Sequence, residues 1–218
     1  MPTVSRRLVL ATAATAVVPR GPAFADMRAL TPLQTEGPFY PTSLPVDADN
    51  DLVQVRGSPA RAMGTVLHLH GRVLNASGVP VPGGTTVEIW QCDSQGLYDH
   101  PHQPGREQRD AAFQGYGAVL TGTDGRYSFR TLKPVAYPGR TPHIHLKVQT
   151  PETRRLTTQF YLAGDPRNEG DFVWRQAIRG NPRNQAMIEM RLEPANSLES
   201  GAYTTWMDIV MPSSPPRA

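Results

Sequence analysis

Turn-forming residues recur along this chain too often for a long helix to form. Ser77-Gly78-Val79-Pro80-Val81-Pro82-Gly83-Gly84, Gln95-Gly96, Thr123-Asp124-Gly125 and Tyr137-Pro138-Gly139 cut it into short pieces. Proline lacks the amide hydrogen that a helix interior needs, and 22 prolines in 218 residues disfavour a helical bundle. Between the breaks, apolar and β-branched residues alternate with polar ones, as in Val66-Leu67-His68-Leu69-His70. That period of two predicts strands over residues 65–74, 85–92, 116–121, 126–132, 143–149, 156–162, 188–192 and 203–211. Asp124-Gly125 is a strong hairpin signal. Residues 172–179 read as one short helix. Many short strands at short spacing predict an all-β, antiparallel β-sandwich with few short helices over residues 65–218. Residues 26–64, rich in proline and glycine with little periodicity, read as an N-terminal arm ordered by docking.

Residues 1–25 differ in kind from the rest. Ser5-Arg6-Arg7 precedes an apolar run, Leu8 to Val18, and Ala23-Phe24-Ala25 offers a small-residue cleavage site before Asp26. This predicts a twin-arginine-like signal peptide and an exported, periplasmic or secreted chain. The run is too short to span a bilayer, so the mature chain is expected to carry no membrane anchor. Arg6, Arg7 and Arg20 account for the whole formal net charge of +3. The remainder is near neutral and has no basic run with interleaved aromatics, which excludes a nucleic-acid partner. The single cysteine, Cys92, rules out an intrachain disulfide and a cysteine-rich zinc site.

The chemistry concentrates in Tyr137-Pro138-Gly139-Arg140-Thr141-Pro142-His143-Ile144-His145. On a strand, His143 and His145 share a face, with Cα atoms about 6.5 Å apart. Their ring nitrogens can then converge on one ion. Pro138-Gly139 turns the chain so that the Tyr137 phenol can swing toward that face, with Arg140 as a fixed positive charge between. All six histidines fall in such pairs, His68/His70, His100/His102 and His143/His145, so the pattern alone leaves open which pair binds a metal, or whether any does.

Five blocks narrow the choice: T-E-G-P-F-Y-P (35–41), V-E-I-W-Q-C-D-S-Q-G-L-Y-D-H (87–100), L-T-G-T-D-G-R-Y-S-F-R-T-L-K-P (120–134), Y-P-G-R-T-P-H-I-H (137–145) and T-Q-F-Y-L-A-G-D (158–165). Together and in this order they resemble the intradiol ring-cleavage dioxygenases, closest to the protocatechuate 3,4-dioxygenase type. The resemblance implies a non-haem Fe(III) cofactor with Tyr98, Tyr137, His143 and His145 as metal ligands. It also implies catalytic roles for Tyr137, as a proton acceptor, for Arg140, stabilising charge on the bound ring, and for Gln159, orienting an oxygen. The implied reaction takes a catechol-type aromatic and O₂, incorporates both oxygen atoms, and opens the ring between the hydroxyl-bearing carbons to a cis,cis-muconate. Phenolate is a hard, donating anion that favours Fe(III), which explains the tyrosines. Phe39 and Tyr40 are expected near the pocket. His68 and His70 are expected to face solvent, and His100 and His102 are left outside the ligand set.

Only five residues separate Tyr137 from His143, a shorter link than in the better-known protocatechuate enzymes, which implies a more open pocket. Two other classes compete. A transthyretin-like binding module would need no metal and leaves the Tyr and His set unexplained. A zinc or copper hydrolase or oxidase built on the histidine pairs needs a third histidine or a carboxylate. The sequence leaves homo-oligomerisation and the identity of the catechol open.

Overall fold

A computed structural model describes residues 27–212; the twin-arginine-like segment, residues 1–25, lies outside them. Ten strands form two sheets: β1 Val66–Asn75, β2 Thr86–Trp90, β3 Tyr116–Leu120, β4 Arg126–Leu132, β5 His143–Gln149, β6 Arg155–Leu162, β7 Glu189–Met190, β8 Glu193–Pro194, β9 Tyr203–Trp206 and β10 Ile209–Met211. Two short helices, α1 Phe172–Ile178 and α2 Arg183–Ile188, follow β6. One sheet runs β3-β2-β5-β6-β7. In the other, β1 is central, with β4 on one side and β9 and β10 on the other.

The sandwich is mixed rather than wholly antiparallel. β9 and β10 run parallel to β1, and β7 runs parallel to β6. Residues 203–211 also break into two strands, and the reason is a close approach. Met207 donates its amide to the His70 carbonyl at 2.7 Å, and its own carbonyl accepts from Tyr127 Oη at 2.6 Å. A Cβ on Gly71 would lie 1.8 Å from that carbonyl oxygen, so only glycine lets the chain pass here.

Residues 188–192 were expected as a strand; α2 occupies Ile188 and leaves two strand residues in β7. Gly180-Asn181-Pro182 reads locally as a loop, yet Pro182 stands at the helix entrance with φ −58°, the angle its ring presets for a helix start. Among the described residues, no helix is long and apolar enough to cross a membrane.

The strand period sets up the site. Ile144, Leu146 and Val148 of β5 enter the core between the sheets with Leu67, Leu69, Ile89, Phe129 and Phe160. His143 and His145 therefore point to the outer face, where side chains would ordinarily meet water. They are only 1% exposed, because other segments cover them. Residues 27–64 contain no strand but bond across both sheets, through Thr31 N to Val210 O, Gln34 N to Thr157 O and Leu52 N to Arg130 O.

Candidate metal centre

The antiparallel register of β5 sets Trp90 and Gln159 beside His145, and Tyr161 beside His143. His143 Nδ1 lies 2.6 Å from the Thr141 carbonyl. A carbonyl can only accept, so Nδ1 carries the proton and Nε2 presents a lone pair. That Nε2 is 3.1 Å from His145 Nε2 and 3.5 Å from Tyr137 Oη. Trp90 stacks on the His145 ring, centroids 4.8 Å apart and 10° from parallel. Tyr98 enters from the loop after β2, its ring 5.6 Å from that of Tyr137 and 6.2 Å from that of His145. The structure thus gathers Tyr98, Tyr137, His143 and His145 in one place.

Burial dominates the electrostatics of this cluster. Tyr98 is 2% exposed, and among the described residues its hydroxyl has no hydrogen-bond partner. His145 Nδ1 is likewise buried without a partner among them. Burial, and then the neighbouring Tyr137, push the Tyr98 phenol well above its ordinary range. Burial raises Tyr137 as well, against the opposing charge of Arg140. Burial and then Arg140 lower His143 to about 3, and burial, His143 and Arg140 hold His145 well below its usual value. The imidazoles are therefore neutral across the physiological range, the state a metal requires. An unpaired buried hydroxyl costs about 1–3 kcal/mol. A cation among these four groups would remove that cost by drawing the phenols into their anionic form.

Arg140 sits at the edge of the cluster. Its Nε donates to Asp171 Oδ2 at 2.8 Å and its Nη2 to Gln159 Oε1 at 2.5 Å. Gln159, fully buried, donates through Nε2 to the Thr35 carbonyl at 2.8 Å. Gln34 donates to the Gln159 carbonyl at 2.9 Å and accepts from Tyr161 Oη at 2.7 Å. The segment 34–40 therefore lies over the site. Gly37, at φ +74°, passes the His145 ring so closely that a Cβ there would be 3.3 Å from Cε1. Phe39 stacks on Tyr98 at 4.6 Å and 19°. Tyr40 turns away, donating to Glu88 at 2.8 Å with Lys147 over its ring, so only one of the two expected aromatics touches a candidate ligand.

The remaining histidines lie elsewhere. His68 and His70 are on the outer face of β1 in the other sheet, half-buried, with His68 Nε2 3.6 Å from Glu199. His100 is 3% exposed, accepts from the His102 amide at 3.1 Å and meets the edge of Phe39. Among the described residues, no group of three or more His, Cys, Asp or Glu could hold a metal, so a zinc or copper centre of the ordinary kind lacks its third donor. Sequence reasoning missed Asp171, Gln34 and Gly37. Asp171 carried a usable signal, since an aspartate just before a predicted helix is a helix-capping residue.

A family model described as dioxygenase matches residues 35–211. Catechol 1,2-dioxygenase 1 of Acinetobacter lwoffii is 35% identical over 162 residues, 66% of this chain and 50% of that protein. The protocatechuate 3,4-dioxygenase beta chain of Burkholderia cepacia is 37% identical over 126 residues, 54% and 53% of the two chains. The chain spans about half the length of the curated relatives it matches. Among solved structures, the dioxygenase domain of a dioxygenase carbohydrate-binding fusion from Streptomyces sp. SirexAA-E superposes with a TM-score of 0.65. It is 30% identical, over 85% of this chain and all of that one (100%).

Proposed function

Because the chain belongs to the intradiol ring-cleavage dioxygenase family, we propose that it opens a catechol-type ring between its two hydroxyl-bearing carbons, using O₂, to a cis,cis-muconate. Tyr98, Tyr137, His143 and His145 would hold a ferric ion. When bound, that ion supplies a Lewis acid for both oxygens of the diol and makes the ring, rather than O₂, the activated partner. The one observation that carries this reading is the convergence of two imidazole nitrogens and a phenol oxygen beside a buried phenol that has no hydrogen-bond partner among the described residues.

The chain's own residues divide the work. Tyr98, buried and stacked on Phe39, is the fixed phenol. Tyr137 is half-buried, so its oxygen is the one an incoming diol can reach, and it takes up a substrate proton at Oη. Arg140 aims preorganised positive charge at the site and stabilises negative charge that builds on the ring. Gln159 fixes the Arg140 guanidinium from the strand floor through Oε1. The covering segment 34–40 excludes water from His145 and Tyr98, which strengthens each of these interactions. Residues 1–25 would direct export; N-terminal sequencing of secreted protein beginning at Asp26 tests this, and retention of an intact N-terminus in the cell counts against it.

The test is product analysis with catechol, hydroxyquinol and protocatechuate under isotope-labelled O₂. Incorporation of both labelled atoms into a dicarboxylic, ring-opened product supports the proposal. A ring-opened product cleaved beside the diol, or no oxygen uptake by the iron-loaded chain, rejects it.

A further inference from the structure

Asp171 is the buried charge that the proposed reaction does not itself use. Its side chain is fully buried, and both of its oxygens are committed. Oδ1 accepts from the amides of Val173 and Trp174 at 2.9 and 3.1 Å, capping α1. Oδ2 accepts from Arg140 Nε at 2.8 Å and from the Thr141 amide at 3.0 Å. Thr141, held at its amide, presents its own carbonyl to His143 Nδ1. One carboxylate thus holds the guanidinium and, through the single residue Thr141, the proton that fixes the His143 tautomer. Thr141 is held from a second side, its hydroxyl donating to Asn168 Oδ1 at 2.7 Å.

Building on the proposed function, we propose that Asp171 is a positioning residue, which locks the Arg140 guanidinium in place and keeps the His143 imidazole turned with Nε2 toward the metal centre. A helix cap needs only Oδ1; the second oxygen has no task in α1. A carboxylate is needed because it accepts two donors at one oxygen in a dry site while balancing the Arg140 charge. Partners that orient a ligating histidine in this way are worth about 10–100-fold in metal affinity or activity.

Asp171→Ser separates the two tasks, since serine is a good helix cap but cannot reach Arg140. In the metal-free full-length chain, NMR of the Arg140 Nε–H and His143 Nδ1–H protons reports the clamp without any turnover. Slowly exchanging signals are expected in the parent protein, lost or broadened in Asp171→Ser. In the iron-loaded variant, kcat should fall about 10–100-fold with KM changed far less. Asp171→Asn, which keeps the shape, should show the same loss. Unchanged proton signals, or unchanged kcat, overturn the proposal. A lowered Tm with both signals intact also overturns it, assigning Asp171 to the cap alone. If the parent chain neither takes iron nor cleaves a catechol, the reading of the site fails, while the proton signals still decide the clamp.

Discussion

Gly37→Ala tests whether the covering segment sets the geometry of His145. Gly37 has φ +74°, and an added Cβ would lie 3.3 Å from His145 Cε1. Two effects add. The left-handed backbone costs an L-residue about 1–2 kcal/mol, and the imidazole must yield by a few tenths of an ångström. His145 is stacked on Trp90 and 1% exposed, so it cannot give way freely. Ligand distances in metal sites tolerate about 0.2 Å, so the push alone exceeds what the centre can absorb. Gly57 supplies the control: its φ is +80°, and nothing lies within 4 Å of an added Cβ. Gly57→Ala should lower the Tm of the metal-free chain by about 2–8 °C at 2–4 °C per kcal/mol, and Gly37→Ala by at least as much. Only Gly37→Ala should lose iron to a chelator, about tenfold faster than the parent. The assay is calorimetry of the metal-free chain paired with chelator competition on the loaded one. Equal iron retention in the two variants refutes the argument.

Tyr98→Phe should stabilise the metal-free chain, because it deletes a buried hydroxyl without a partner, a gain of about 1 kcal/mol or more. The same change should weaken iron retention, and a fall in metal-free Tm would contradict the account of an unpaired phenol. Glu199, held below its ordinary value chiefly by hydrogen bonds from Arg130, contributes stability that is full above its unfolded value. That stability is lost as pH falls through the lower folded one. Glu199→Gln should therefore lower Tm at pH 7, with the gap to the parent closing in acid; a gap that widens in acid has the wrong sign. Asp171→Ser should cost turnover beyond the stability lost when Arg140 is left without its partner, read as described above.

Local patterns carried much of the fold. The bounds of β4 and β5 follow from strict alternation, but the Asp124-Gly125 hairpin signal misleads: β3 pairs with β2 and β4 with β1, so that turn carries the chain from one sheet to the other and its neighbours do not pair. The parallel return of β9 and β10 along β1 depends on the Met207 carbonyl passing over Gly71, a contact between residues far apart in the chain that no local period records. α2 was hidden because Gly180-Asn181-Pro182 has the composition of a loop whether or not a helix follows.

The candidate site divides in the same way. Tyr137, Arg140, His143 and His145 lie within nine residues, so strand period and one turn already bring them together. Tyr98 and Gln159 entered through family resemblance, not through spacing. Asp171, Gln34 and Gly37 reach the site from other segments, and their roles depend on tertiary contacts. The alternation that predicts His143 and His145 on one face also predicts that face to be wet. Their burial comes from segments 34–40 and 91–115, whose irregular sequences announce turns but not what they cover.

The central claim is that two phenolates and two imidazoles close around a single ferric ion. Resonance Raman and visible spectroscopy of the purified chain, with iron and zinc quantified in the same sample, test it most directly. A coloured protein with tyrosinate-to-iron bands is predicted, altered in both Tyr98→Phe and Tyr137→Phe and shifted when a catechol binds. A colourless protein that holds zinc, or iron bands indifferent to both substitutions, would contradict it.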